Sequence, residues 1–124
     1  MNINIKNKIK VSIIGLGYVG LPLALEFSKY FSVVGFDINK KRIKELKSGE
    51  DSTNEVDSST VLKNKKIIFT TNRIELTGSN YYIITVPTPV NAKKEPNLKV
   101  LEEAAKTVGS VISKNGIVIL ESTV

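Results

Sequence analysis

Apolar residues in this chain follow two alternating patterns. Short, largely apolar runs occupy residues 9–15, 32–37, Ile67–Thr70, 81–86 and Ile117–Leu120. Runs that are apolar at successive positions, not at every second one, fit strands buried on both faces of a sheet. Between the runs the spacing changes to steps of three and four. Over residues 19–30 this places Leu21, Ala24, Leu25 and Ser28 on one helical face. Pro22 falls in the first turn there, where a missing N–H costs nothing. Asn39 can cap a helix over Lys40–Lys47, with Ile43 and Leu46 facing inward and Gly49 beyond its end. Asn97 can cap a longer helix whose apolar positions are Leu98, Leu101, Ala104, Ala105, Val108, Val111 and Ile112, and Gly116 ends it. Residues 49–60 are polar and predict a loop, with one helical turn near 55–62. A turn is predicted at Arg73–Leu76, a mobile polar loop at 90–95 and a disordered lead-in at 1–7.

Strands alternating with helices imply a parallel sheet joined by right-handed crossovers. The order this predicts is 3-2-1-4-5, an α/β doubly wound sheet of the Rossmann type. Such a sheet commonly has six strands, and the chain stops just past the fifth. The expectation is therefore the front of one domain over residues 1–124, belonging to a longer protein. The apolar edge around Ile117–Leu120 then predicts self-association or marginal stability.

Composition narrows the chemistry. The 124 residues include no cysteine and no histidine. A disulfide framework, a thiolate nucleophile, a Ser-His-Asp triad and thiolate or imidazole metal ligands are thereby excluded within this stretch, and no metal site is expected. The formal charge of +6 admits an anionic partner. The lysines are scattered with few aromatics among them, so a solvated surface is the preferred reading over a nucleic-acid binder. Lys40, Lys41, Arg42, Lys44 and Lys47 do cluster, but on one predicted helix. Lys6, Lys8 and Lys10 before an uncharged run over 11–25 imitate a signal peptide. Gly15, Gly17, Gly20 and Pro22 interrupt that run and no small-residue cleavage site follows, so a cytoplasmic protein without membrane contact is expected.

The glycines have a better explanation. Gly15-Leu16-Gly17-Tyr18-Val19-Gly20 lies between a predicted buried strand and a predicted helix, and Asp37 ends the next strand. That context makes it a dinucleotide-binding fingerprint. Gly15 permits the tight turn, Gly17 lets the backbone approach a pyrophosphate, and Gly20 lets the helix pack closely on the sheet. The helix start offers free N–H groups and positive potential to the phosphates. A carboxylate at Asp37 can accept the adenosine ribose hydroxyls and repels a 2′-phosphate, which favours NAD over NADP. Spacing leaves Arg42 open between the adenine or ribose edge and a solvated helix face. Thr88 and Thr123 follow the fourth and fifth strands, where ligands bind in open α/β sheets, yet ordinary turn chemistry explains them as well. Glu121 is either an acid near the nicotinamide or a strand-end acceptor.

Taken together, residues 10–25 (KVSIIGLGYVGLPLAL), 34–42 (VGFDINKKR), 84–89 (ITVPTP) and 118–124 (VILESTV) resemble the N-terminal part of the UDP-glucose/GDP-mannose dehydrogenase family. VPTP is most similar to the branch acting on UDP-N-acetylhexosamines. The resemblance implies oxidation of a sugar C6 alcohol to a carboxylate in two steps with two NAD. It implies that Gly15, Gly17, Tyr18, Val19 and Gly20 form the pyrophosphate loop and that Asp37 and Arg42 hold the adenosine half. Thr88 and Thr123 would contact NAD further along. The family's catalytic cysteine, lysine, asparagine and acids, its dimer-forming helix and its UDP-binding domain all fall past position 124. The chain as given is thus expected to bind NAD without turning over a nucleotide sugar, and the full-length form to be a homo-oligomer. Competing readings are a stand-alone NAD-sensing module, the NAD-binding part of a UDP-glucose 6-dehydrogenase, and a hydroxyacyl-CoA or 6-phosphogluconate type dehydrogenase. VPTP and ESTV speak against the last.

Overall fold

The computed structural model describes residues 8–51 and 66–121. Five strands, β1 (Lys10–Ile14), β2 (Ser32–Phe36), β3 (Ile67–Thr70), β4 (Tyr81–Ile84) and β5 (Ile117–Leu120), form one sheet in the order β3-β2-β1-β4-β5. All four neighbouring pairs are parallel. The architecture is the doubly wound Rossmann type that the alternating patterns predict. β1 is central, with Val11 opposite both Val33 and Tyr81.

Side chains of β1, β2 and β4 serve two separate cores, one on each face of the sheet. On one face Val11, Ile13, Val33, Phe69 and Ile83 meet helix α1 (Gly20–Phe27) and helix α2 (Lys40–Lys47). Leu21, Ala24 and Leu25 of α1 are buried there, as their helical spacing requires. Each large apolar side chain so buried contributes about 1.5–3 kcal/mol. On the other face Ile14, Val34, Phe36, Tyr82 and Ile84 meet Leu76 and helix α3 (Lys99–Gly109) through Ala104 and Val108. Three layers result, with the sheet in the middle.

The 3-10 turn Arg73–Leu76 is tied down by buried polar bonds. Tyr82 Oη and Ser79 Oγ both donate to the Leu76 carbonyl, at 2.9 Å each. Lys10 Nζ donates to the Glu75 and Thr77 carbonyls, at 2.8 Å each. Burial pushes the Lys10 ammonium below its ordinary value, with Glu75 pulling the other way.

Three expectations change. α3 ends at Gly109, not before Gly116, because the chain turns at Ser110. Val111 and Ile112 still pack on the core from beyond the helix, while Ala105 and Leu98 are exposed. Asn97 lies one residue before the cap position and accepts from the Lys99 N–H at 3.0 Å. The loop expected to be mobile at 90–95 is instead organised by Asn91, whose Oδ1 accepts from the Lys93 and Glu95 N–H groups, and by a bridge between Val90 and Pro96. The predicted lead-in and the predicted turn near 55–62 lie outside the described residues. Among the described residues no helix is long and apolar enough to cross a membrane, and no cluster of acids could hold a metal ion.

Candidate functional site

β1 is the point at which the strand order reverses, since β2 lies on one side of it and β4 on the other. Ligands of open α/β sheets bind outside the carboxyl ends of the strands at such a point. A cleft of about 450 Å³ lies there. The segment after β1 supplies Gly15, Leu16 and Gly17, the end of β2 supplies Phe36 to Asn39, and Thr85, Val86 and Pro87 follow β4. Val100, Glu103, Ala104 and Thr107 of α3 close the far wall.

The glycine turn is held by side chains from three other segments. Gly15 has φ +99°, open to glycine and strained for other residues. Its carbonyl accepts from Thr85 Oγ1 at 2.7 Å. The Leu16 N–H donates to Asp37 Oδ2 at 3.0 Å, and the Leu16 carbonyl accepts from Arg42 Nε at 2.7 Å. Asp37 Oδ1 accepts from the Asn39 N–H at 2.9 Å. Asp37 thus uses one oxygen on each of two backbone groups and keeps lone pairs for a further donor.

Arg42 is 7 % exposed, which excludes the solvated helix face. Its Nη1 donates to Asp51 Oδ1 at 2.8 Å, and Glu45 Oε2 stands 3.5 Å from the same nitrogen. The Asp51 carboxylate has no exposed surface.

Gly17 and Gly20 are glycines for opposite reasons. A Cβ on Gly20 would lie 1.7 Å from the Gly15 carbonyl oxygen and 2.5 Å from Thr85 Oγ1. A Cβ on Gly17 would meet nothing within 4 Å. The close approach at Gly20 seats α1 on the sheet, and the space at Gly17 opens on the cleft.

Among the expected site residues, the structure brings Gly15, Gly17, Asp37 and Arg42 to the cleft wall. Gly20 packs behind them. Tyr18 and Val19 are exposed at the start of α1 and do not line the cleft. Thr88 also stands off it, with a buried Oγ1 that has no hydrogen-bond partner among the described residues. Thr123 lies outside the described residues.

Sequence reasoning passed over Thr85, Leu16 and Asp51. Thr85 carried a signal: a polar side chain at the end of a buried run must find a partner. Asp51 carried none, since it reaches Arg42 from past the end of α2.

The cleft suits a dinucleotide on three observations. Gly17 leaves free space, and its N–H has no partner among the described residues. The start of α1 has no side-chain cap and no acid in its first turn, so its positive end is left to another group. A carboxylate stands at the end of β2, where ribose hydroxyls are recognised.

Known proteins agree with this geometry. Residues 9–124 match the family described as UDP-glucose/GDP-mannose dehydrogenase family, NAD binding domain. The chain is 51% identical over 116 residues to a UDP-N-acetyl-D-glucosamine 6-dehydrogenase of Pseudomonas aeruginosa, covering 94% of this chain and 28% of that protein. A solved UDP-D-ManNAc dehydrogenase of Pyrococcus horikoshii superposes with a TM-score of 0.85 at 38% identity, covering 94% of this chain and 29% of that one. A UDP-glucose dehydrogenase of Pyrobaculum islandicum gives 0.82 at 26% identity, covering 100% of this chain and 31% of that one. The chain therefore spans under a third of the length of the relatives it matches. With nearly every residue inside the matched region and the expected sheet order in place, the chain belongs to the UDP-glucose/GDP-mannose dehydrogenase family and carries its NAD-binding domain.

Proposed function

We propose that this chain is the NAD-binding part of a UDP-N-acetylhexosamine 6-dehydrogenase, a cytoplasmic enzyme of polysaccharide biosynthesis that oxidises the sugar C6 alcohol to the uronate. The observation that carries the substrate class is the 51% identity to a UDP-N-acetyl-D-glucosamine 6-dehydrogenase. The UDP-glucose alternative rests on a relative only 26% identical.

In this reading residues 1–124 are an NAD-binding unit. Gly15 and Gly17 meet the pyrophosphate, Gly20 seats α1 behind them, Tyr18 and Val19 complete the loop at the exposed start of α1, Asp37 accepts the ribose hydroxyls, and Arg42 backs the adenosine half. Thr88 and Thr123 face NAD further along. NAD, when bound, supplies the hydride acceptor. The chain's own residues bind and orient it and supply no thiolate nucleophile, because no cysteine is present among the 124 residues. Oligomer formation and sugar binding belong to the rest of the enzyme.

Calorimetric titration of the chain with NAD and NADP tests the cofactor half, and tighter NADP binding would overturn the role given to Asp37. For the substrate half, NADH formation is followed in the enzyme that carries this domain. UDP-N-acetylhexosamines should be oxidised in preference to UDP-glucose, and the reverse preference would transfer the assignment to the alternative.

A further inference from the structure

The guanidinium of Arg42 faces away from solvent and toward the glycine turn, and that orientation bears on how the turn meets its ligand. The peptide joining Leu16 to Gly17 is trans, so its carbonyl and its N–H point in opposite directions. Arg42 Nε holds the carbonyl at 2.7 Å. The N–H of the same peptide is Gly17's, on the cleft wall, with no partner among the described residues. The preceding peptide is held at both ends, by Thr85 on the Gly15 carbonyl and Asp37 on the Leu16 N–H. Of four polar groups in two successive peptides, three are engaged by side chains and the fourth is presented.

Arg42 is itself held. Its Nη1 lies 2.8 Å from an Asp51 carboxylate with no exposed surface. Glu45 Oε2 stands 3.5 Å from the same nitrogen, so two carboxylates hold the guanidinium against the turn. Asp51 does not line the cleft, and Arg42, which does, connects it to the glycine turn.

We propose that the buried Arg42–Asp51 ion pair is a positioning device that fixes the Leu16 carbonyl and thereby turns the Gly17 N–H into the cofactor cleft before NAD arrives. Glycine is the residue with most backbone freedom to lose, so a turn ordered in advance binds its ligand at lower entropic cost. The inference rests on reading the cleft as the NAD site.

The test uses the ¹⁵N-labelled full chain, wild type, Asp51→Asn and Arg42→Lys. In the ligand-free wild type the Arg42 Nε–H should be protected from exchange and the Gly17 N–H should not be. NAD should move the Gly17 signal strongly and leave the Arg42 Nε–H protected. Asp51→Asn should shift Gly17 without ligand and weaken NAD binding roughly tenfold, within the range for losing a charged hydrogen bond. Arg42→Lys should act in the same direction, because an ammonium lacks the fork that spans both acceptors. A variant that melts earlier with Gly17 and NAD affinity unchanged would reduce the pair to a structural role and overturn the proposal. Loss of Arg42 Nε–H protection on adding NAD would also overturn it, by making Arg42 a direct ligand contact. Should the wild type bind no NAD, the cleft reading falls, and the ligand-free Gly17 shift in Asp51→Asn still decides whether the pair holds the turn.

Discussion

Two glycines three residues apart give opposite predictions. Gly20→Ala drives a Cβ into the Gly15 carbonyl and Thr85 Oγ1, which are bonded to each other at the ends of β1 and β4. Overpacking of this kind costs about 1–3 kcal/mol or more, so urea unfolding should show a loss of at least that size. Gly17→Ala meets no atom within 4 Å, so stability should stay within about 0.5 kcal/mol of the parent. On the proposed reading the new methyl enters the space a phosphate would take, and calorimetry should show NAD affinity falling at least tenfold. Equal effects of the two substitutions on stability would refute the distinct roles. The fingerprint spacing made both glycines legible as a pair, and their separate tasks follow from which neighbours a Cβ would touch. What the string could not convey is how Asp37 and Arg42 engage the Leu16 backbone, since such bonds depend on rotamers and not on periodicity.

Among the elements, α3 departs most from its pattern. The apolar steps continue to Ile112, and both Val111 and Ile112 reach the core, yet helical geometry stops at Gly109. Hydrophobic spacing reports which residues are covered, and it stays silent when a turn performs the covering. Gly109 is the last helical residue, and a Cβ there would meet nothing within 4 Å. Gly109→Ala should therefore stabilise the chain by about 0.5–1 kcal/mol and raise the melting temperature by roughly 2–4 °C. A lowered melting temperature would show that the end of α3 needs glycine. The Arg73–Leu76 turn yields a pH prediction through Lys10. Its folded pKa lies below 10.5, chiefly from burial, so the unfolded chain binds the proton more tightly. Stability then rises with pH as Lys10 deprotonates, through the alkaline range up to 10.5. Lys10→Met removes this titration, and the stability of wild type relative to that variant should grow over that interval. Urea unfolding at successive pH values checks it, and a constant or shrinking difference would refute it.

At the scale of the whole molecule, the sheet order was legible because each crossover must return parallel and right-handed, which leaves few arrangements. The surface follows from the same order. Among the described residues β5 pairs only with β4, and Ile117, Val118 and Leu120 are about half exposed. Beside it runs a groove of about 480 Å³ between α1 and the sheet, lined by Leu23, Phe27, Ile83 and Ile119 among others. An apolar edge strand next to an apolar groove favours pairing with a second chain. The charge of +6 opposes that pairing at low ionic strength and is screened as salt is added. Sedimentation velocity at about 100 µM should therefore show self-association that increases with salt. Val118→Lys with Leu120→Lys places charge on the edge and should restore the monomer. The cleft is lined by no residue of β5, so NAD affinity in that double variant should match the parent. A parent chain that stays monomeric at high salt would show that the exposed edge is not adhesive and that Ile117–Leu120 is held by β4 alone.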